Sequence, residues 1–167
     1  MIKKYNADVT VIGGGLAGLV AVHELLNQKK KILLLERDLP DKLGGLARES
    51  FGGILLVDTP LQRRQSIKDS VELAYSDWCS YAEFSEQDYW PKKWARYYVE
   101  QSQDIIYRWF CDQKIRFLPV VNWPERGFDV KGNSIPRWHI AWGTGNRIAK
   151  TIIYSIEKHQ YRKNLEI

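Results

Sequence analysis

Three glycines at the spacing G-x-G-x-x-G are the residues of this chain best suited to hold a phosphate group. Gly13, Gly15 and Gly18 stand directly after a short apolar run and open a helical pattern. Gly13 permits a tight turn, Gly15 lets the backbone approach a pyrophosphate, and Gly18 lets helix and strand pack closely. The free N–H groups at the helix start, where Leu16 and Ala17 stand, would face the phosphates. In this context the motif predicts a dinucleotide-binding site.

An acidic residue stands where such a site needs one. Glu36 closes the second apolar run, at roughly the ~20-residue offset expected of a carboxylate that accepts ribose hydroxyls. A carboxylate there repels a 2′-phosphate, which argues against NADP, although the neighbouring Arg37 weakens that argument. The alternative is a glycine turn in an unrelated α/β protein.

Two glycine pairs, Gly44-Gly45 and Gly52-Gly53, follow the acid and flank Ser50. Glycine lets a backbone come within hydrogen-bonding distance of a flat ligand. The pairs therefore favour FAD over NAD, since the ADP half alone does not distinguish the two. A flexible loop with convenient turns, and an NAD-binding domain, stay open as alternatives.

A histidine in an aromatic-rich segment is the second place where chemistry could occur. His139 or Thr144 could contact flavin or substrate, while Arg137 could bind a carboxylate or orient His139. The alternative is a structural histidine in an aromatic-rich loop. No metal-ligand cluster is apparent, and Cys79 and Cys111 stand too far apart for a paired-cysteine metal site.

Basic residues give the chain a net charge of +5, but they are scattered as short doublets and triplets typical of solvated surface. The aromatic and basic row 89–98 could stack bases. Its spacing better suits a helix that packs one aromatic face and leaves its basic residues in water. No nucleic-acid partner is expected.

The elements that position the glycine motif follow from the apolar pattern. Residues 9–12 and 32–35 are short apolar runs typical of buried parallel strands. Residues 16–28 carry apolar residues over much of a helix surface. Strand, helix and strand in this order predict a right-handed parallel crossover.

The rest of the chain alternates helical and extended patterns. A capping box of Thr59 and Gln62, with Pro60 at the first helical position, starts a helix whose apolar spacing continues to Trp78. A second helix, with Trp94 and Ile105 among its inward residues, is predicted over 91–113. The other expected elements are strands at 54–57 and 115–118, an irregular connection over 122–136, an extended segment at 137–140, a turn at 143–146, a helix over 148–159 and a strand from 165.

The length of 167 residues suits one domain of ordinary size, not a nucleotide domain plus a substrate domain. Hydrophobic residues make up 44% and charged residues 27%, which predicts a folded core. The start of the chain lacks a signal-peptide pattern, and no apolar run approaches the ~18 residues of a membrane span. A cytoplasmic protein without a membrane partner is expected.

The glycine motif with residues 11–18, Glu36 and the two glycine pairs resembles the flavoprotein superfamily of fumarate reductase, succinate dehydrogenase and 3-ketosteroid dehydrogenase. Further segments are similar to a bacterial subgroup of FAD-binding dehydrogenases: 51–53, 58–64, 77–78, 90–91 and 138–145. Two departures stand out. Leu46-Ala47 replaces the Asn-Ser that relatives often carry, and Lys29 stands where a helix-ending glycine is common.

The resemblance implies a doubly wound, Rossmann-like α/β FAD-binding domain that has a largely helical insertion and is truncated. Its parts would be a dinucleotide-binding βαβ unit with the flavin-lining loop (1–58), the insertion (59–135), and a loop, helix and return to the nucleotide domain (136–167). Gly13, Gly15 and Gly18 would hold the pyrophosphate and Glu36 the ribose. The remaining cofactor-lining residues would be Gly44, Gly45, Ser50, Gly52 and Gly53.

The implied activity is FAD-dependent oxidation or reduction of a C–C bond in a small-molecule substrate, with hydride passing between substrate carbon and flavin N5. No catalytic residue is assigned, because the usual acid or base of such enzymes would lie beyond Ile167. The chain would then be a fragment that self-associates or pairs with a missing C-terminal half. A catalytically inactive nucleotide-binding remnant is the alternative.

Overall fold

A computed structural model describes residues 4–122 and 129–167. Its helices and strands follow one another in this order: β1 (Val9–Ile12), α1 (Leu16–Asn27), β2 (Ile32–Leu35), β3 (Gly53–Leu55), α2 (Pro60–Arg64), α3 (Val71–Ala82), α4 (Tyr89–Gln101), a π-helical segment (Ser102–Tyr107), α5 (Arg108–Asp112), β4 (Trp138–Ile140), α6 (Thr144–Glu157) and β5 (Leu165–Glu166). Short 3₁₀ helices lie at Pro40–Lys42, Gly45–Glu49 and Arg162–Asn164.

The described chain forms two compact units. The first comprises Met1–Gly52 and Gly143–Ile167, and the second comprises Gly53–Trp142.

A parallel three-stranded sheet in the order β1-β2-β5 organises the first unit. Val9 pairs with Ile32, and Ile32 pairs with Leu165 on its other side. The strands at 9–12 and 32–35 and the strand at 165 are confirmed. The predicted helix between the first two strands is also confirmed, and it ends at Asn27.

The two faces of this sheet differ in burial. Ile32 and Leu34 are buried on one face, and α1 packs against α6 through its buried residues. Ile12 is 85% exposed and Leu35 48% exposed on the other face. Parallel sheets are ordinarily covered on both faces, so this face is available for a further layer.

The second unit combines an antiparallel ribbon with helices. Strands β3 and β4 pair from Gly53 opposite Ile140 to Leu55 opposite Trp138. Its core cluster is built on Val57, Ala74 and Val99. The strand at 54–57 and the extended segment at 137–140 are thus found, with their bounds shifted by one to two residues.

The helix starting at Thr59 is confirmed with its capping box, but the prediction that it runs to Trp78 is wrong. Helix α2 ends at Arg64, and α3 starts anew at Val71 with Ser70 as its side-chain cap. Ser66, between the two helices, has a φ of 59°. This left-handed conformation is incompatible with a right-handed α-helix, so the helix cannot continue through Ser66. The apolar spacing does not reveal this break, because Ile67 in the linker keeps the helical period between Leu61 and Val71.

The helix predicted over 91–113 is observed from Tyr89 to Asp112, interrupted by the π-helical segment. The buried hydroxyl of Ser102 accepts the N–H of Val57 at 2.8 Å at the start of that segment. The prediction that Trp94 and Ile105 face inward is wrong, since they are 66% and 50% exposed. Both faces of α4 carry aromatic residues, so periodicity alone could not choose the buried face.

Two further predictions are wrong. Residues 115–118 contain only an isolated bridge from Phe117 to Ala141 instead of a strand. Residues 143–146 are not just a turn, because α6 already begins at Thr144, after Gly143 with φ of 87°. The predicted irregular connection over 122–136 includes residues 123–128, which lie outside the described residues.

Candidate functional site

The turn between β1 and α1 has the geometry that its glycines predict. Gly13 has a φ of 97°, a left-handed backbone that favours glycine. A Cβ on Gly18 would lie 1.9 Å from the carbonyl oxygen of Gly13, so only glycine fits there. Gly15, by contrast, has no atom within 4 Å of the position of a Cβ. The turn is therefore tightly closed on its protein side and open at Gly15.

Open space at Gly15 stands beside the start of a helix. Gly15 is the N-cap of α1 and supplies no side-chain capping bond. The N–H groups of the first helical residues, here from Leu16 through Gly18, have no intrahelical acceptor. They and the positive end of the helix dipole suit a phosphate group.

The carboxylate of Glu36 is tied to this turn by backbone donors. One oxygen accepts the N–H of Gly14, and the other accepts the N–H groups of Arg37 and Asp38 at 2.7 and 3.0 Å. These bonds, led by that of Gly14, lower the pKa of Glu36 below its usual value. Glu36 therefore carries a full negative charge at neutral pH, next to the glycine turn.

The first glycine pair lies directly beside Gly15. Gly44 donates its N–H to the carbonyl of Gly14 at 2.8 Å and forms a bridge with Gly15. A Cβ on Gly45 would lie 3.3 Å from the Cα of Gly15. The structure thus brings together two glycine segments that are about thirty residues apart in the sequence.

Arg48 is a residue at this loop that the sequence reasoning missed. Its guanidinium donates to the carbonyl oxygens of Asp41 and Leu43. Its Nε is buried and has no hydrogen-bond partner among the described residues. A cationic donor without a partner, close to a glycine turn, is suited to an anionic cofactor. The sequence does not reveal this role of Arg48, because no spacing pattern includes it.

The second glycine pair is divided between the two units. Gly52 belongs to the first unit, where its φ is 78° and a Cβ would lie 2.7 Å from the carbonyl carbon of Thr144. Gly53 begins β3 of the second unit. The hydroxyl of Ser50 donates to Ala47 and accepts the N–H of Gly52, so it shapes the loop itself. Within the first unit, Ser50, Gly52 and Thr144 come together.

Arg137 lies in a buried ionic network of the second unit. Its guanidinium donates to Asp69 at 2.8 and 2.9 Å, to Asp77 at 2.6 Å and to Asn133 at 3.1 Å. The side chain of Arg137 is completely buried, as is that of Asp69. Every nitrogen of this guanidinium is therefore occupied by the protein.

His139 is buried next to that network. Its Nδ1 lies 2.8 Å from the carbonyl oxygen of Arg137, and its Nε2 lies 2.7 Å from the hydroxyl of Thr59. The carbonyl requires a proton on Nδ1, so Nε2 accepts from Thr59 in a neutral ring. Burial lowers the pKa of His139, and the bond to Arg137 only partly opposes this effect.

Burial of Arg137 and His139 supports the structural alternative for both, and their contact with flavin or substrate stays a prediction. Thr59 and Gln62, which the sequence predicts only as a helix cap, also join this network. Gln62 donates to Asp69 and to the carbonyl of Pro136, each at 2.9 Å. Asp69 and Asp77 were missed, because they lie 68 and 60 residues from Arg137 in the sequence.

The described residues offer neither a metal cluster nor a membrane-spanning helix. In that part of the chain, no group of three or more His, Cys, Asp or Glu residues is arranged to hold a metal ion. None of its helices has the length and apolar composition needed to cross a membrane.

A parallel sheet, a glycine turn opening a helix and an acid at the end of the second strand define an α/β dinucleotide-binding protein. Residues 8–167 match the FAD binding domain family over that whole span. The chain belongs to this family, and its cofactor is FAD. The doubly wound fold class and the resemblance to the fumarate reductase and 3-ketosteroid dehydrogenase flavoproteins are confirmed.

Two mycobacterial relatives are similar in sequence. A KsdD-like steroid dehydrogenase of Mycobacterium tuberculosis is 46% identical over 144 residues, covering 84% of this chain and 25% of the relative. A KsdD-like steroid dehydrogenase of Mycolicibacterium smegmatis is 43% identical, covering 84% of this chain and 26% of the relative. The chain therefore spans about a quarter of the length of these relatives.

Solved structures share the fold at lower identity. The 3-ketosteroid-Δ4-(5α)-dehydrogenase of Rhodococcus jostii RHA1 has a TM-score of 0.75 at 23% identity, over 98% of this chain and 38% of that one. A flavocytochrome c3 fumarate reductase has a TM-score of 0.74 at 22% identity, over 92% of this chain and 25% of that one.

Proposed function

We propose that this chain is the FAD-binding portion of a flavin-dependent oxidoreductase that acts on a C–C bond of a small molecule. The main observation that supports a cofactor site is the empty space beside Gly15. This space lies next to the glycine turn and to Gly44-Gly45. The names of the relatives, steroid dehydrogenase and fumarate reductase, support the reaction class. Bound FAD supplies the hydride-accepting or hydride-donating centre.

The residues of the turn would hold the phosphates. Gly13 sets the turn, Gly15 leaves room for the pyrophosphate, and Gly18 keeps α1 close to β1. The N–H groups of Leu16 and Ala17 would then point at the phosphate oxygens. Arg48 would add a cationic donor next to this group.

Glu36 would accept the adenosine ribose hydroxyls. Hydrogen bonds from backbone N–H groups keep the carboxylate ionised and hold it in place. Its remaining lone pairs would therefore accept the ribose hydroxyls without a further loss of side-chain entropy. An ionised carboxylate in this place disfavours a 2′-phosphate.

The second loop would line the rest of the cofactor. We assign this role to Gly44, Gly45, Gly52 and Gly53, with Ser50 acting mainly by shaping the loop. Thr144 stays a candidate contact because Gly52 lies against it. The cytoplasmic location stays a prediction.

The exposed sheet face suggests a protein partner. Ile12 and Leu35 expose apolar side chains next to each other on β1 and β2, and apolar patches of this kind mark association surfaces. We propose that a second copy covers this face in the isolated chain, or the remaining polypeptide in a longer protein. Sedimentation velocity should show a dimer or larger species that Ile12→Thr shifts towards monomer, and a monomeric wild type would refute self-association.

Binding of FAD by charge-altered variants tests the site. Glu36→Gln should raise the Kd for FAD by about tenfold, because one hydrogen bond to a charged group contributes about 1.5–3 kcal/mol and the amide retains part of it. Asp38→Asn is the matched control, since it removes a neighbouring exposed charge. Equal effects of the two variants would contradict the role of Glu36.

Anaerobic mixing tests the reaction class. The FAD-loaded chain is mixed with succinate, or with a saturated 3-ketosteroid, and the flavin absorbance is followed. Bleaching supports C–C dehydrogenation, whereas bleaching only by a reduced nicotinamide contradicts it. A chain that holds FAD but is bleached by none of these would be a binding remnant without catalysis of its own.

A further inference from the structure

A cavity of about 460 Å³ opens in the second unit. It lies where the end of α3 and the following loop meet α4 and the π-helical segment, and all its lining residues fall between 78 and 106. Its volume lies in the range of about 300–1,000 Å³ typical of small-molecule sites. Rings dominate its walls, supplied by Trp78, Phe84, Trp94, Tyr97 and Tyr98.

The cavity wall carries no charge among the residues that the structure describes there. Apart from the aromatic rings, it is lined by Pro91, Ala95, Ile105, Ile106 and Gln101. An ionic ligand would lose its hydration in this cavity without a compensating partner, at a high free-energy cost. Flat aromatic walls favour a ligand with planar rings, which can stack or meet them edge to face. The chemistry of the wall selects a neutral, ring-containing molecule.

Gln101 provides a polar group within this apolar wall. Its side chain makes no hydrogen bond to the described residues, so both its amide donor and its amide oxygen are available. The hydroxyl of Tyr98, in contrast, is committed to the carbonyl of Leu55 at 2.7 Å. A hydrogen bond in an apolar surrounding is electrostatically stronger than one in water, so Gln101 would orient a ligand that carries one hydroxyl or carbonyl.

The exposure of the rim fits a binding site better than a packed core. Trp94 is 66% exposed and Ile105 50% exposed at the rim. Large apolar side chains gathered around a concave site gain favourable burial only when a partner covers them. The packed core of this unit lies instead around Val57, Ala74 and Val99.

We propose that this cavity binds a neutral, planar, multi-ring ligand that carries one hydroxyl or carbonyl group held by Gln101. The cavity shares no residue with the glycine turn or the loop that would hold FAD, because its lining residues all fall between 78 and 106. The proposal for this cavity can therefore be tested independently of the proposed FAD-dependent function.

Equilibrium dialysis with 2-naphthol, a neutral two-ring alcohol, tests the cavity on the full chain. Trp94→Ala should raise the Kd by about threefold to tenfold, because it removes one of the aromatic rings that line the cavity at its rim. Trp90→Ala is the matched control, because Trp90 is 64% exposed on the same helix and does not line the cavity. Equal weakening by both variants would mean adsorption to the exposed aromatic surface and would overturn the proposal, as would no saturable binding to the wild type.

A matched pair of probes tests Gln101. Gln101→Leu should weaken binding of 2-naphthol by about fivefold to tenfold and leave 2-methylnaphthalene within about twofold, since only the alcohol can hydrogen-bond to the amide. An equal change for both probes would overturn the role of Gln101. Circular dichroism checks that each variant is folded. In addition, 2-naphthol should still bind to Gly15→Ala, because this substitution alters the FAD site and not the cavity.

Discussion

Replacing Gly15 by alanine should separate FAD binding from folding. Gly15 has φ −71° and ψ −177°, an extended backbone that alanine adopts freely. Its Cβ would meet no atom within 4 Å. Loss of unfolded-state entropy then stabilises the variant by about 0.4–1 kcal/mol. Alanine is a poorer N-cap than glycine by an amount of similar size. The net change in the free energy of unfolding should stay within about 1 kcal/mol.

The same Cβ would occupy the space that we assign to the pyrophosphate. Each lost hydrogen bond between a backbone N–H and a charged phosphate costs about 1.5–3 kcal/mol, so the Kd for FAD should rise by about 10- to 150-fold. ADP should lose affinity equally, because the contact belongs to the ADP half.

Thermal unfolding followed by circular dichroism, together with a titration of flavin fluorescence, measures both quantities. Gly18→Ala is the contrasting variant, since its Cβ would lie 1.9 Å from a backbone oxygen and should destabilise the fold by about 1–3 kcal/mol. A Gly15→Ala chain that is folded and binds FAD as the wild type does would refute the placement of the pyrophosphate.

Three further changes test the packing and the buried network. Gly145→Ala would place a Cβ 1.8 Å from the carbonyl oxygen of Ala47 and should lower the free energy of unfolding by about 1–3 kcal/mol; an unchanged melting temperature would contradict the packing of α6. Arg137→Met leaves two buried aspartates uncompensated and should cost about 3–5 kcal/mol in urea unfolding, whereas a cost below about 1 kcal/mol would contradict the burial of this network. Because the pKa of His139 is lowered in the folded chain, the unfolded chain takes up its proton first, so stability should fall as pH drops below about 6.5. His139→Gln should flatten that slope relative to the wild type, and an identical slope would argue against a buried neutral ring.

The sequence predicts those elements in which a local residue pattern is compatible with only one type of secondary structure. The runs 9–12 and 32–35 are short and mostly apolar, a pattern typical of parallel strands. The Thr59-Gln62 capping box marks a helix start by its own hydrogen bonds. The end of α1 is a further local feature. Lys29, which stands where relatives commonly carry a helix-ending glycine, has the left-handed φ of 62° that such a position requires.

The remaining features depend on contacts between distant residues. The break after Arg64 lies next to Asp69, whose carboxylate binds Arg137. The π-helical segment begins at Ser102, whose hydroxyl meets the backbone of Val57. Neither contact leaves a trace in local spacing.

The candidate site divides in the same way. Gly13, Gly15, Gly18 and Glu36 form a local motif with a known geometric purpose, so they could be identified from the sequence. The unsatisfied Nε of Arg48 depends on how its loop folds over the carbonyls of Asp41 and Leu43. Its position could be found only in three dimensions.

Competitive binding of dinucleotides tests the central claim most directly. The purified chain is titrated with FAD, ADP and NADH under identical conditions, and flavin absorbance is recorded after desalting. We expect FAD to bind more tightly than NADH, ADP to compete with FAD, and Glu36→Gln to weaken both FAD and ADP. A folded chain that binds NADH more tightly than FAD, or that binds neither FAD nor ADP, would contradict the FAD site proposed at the glycine turn.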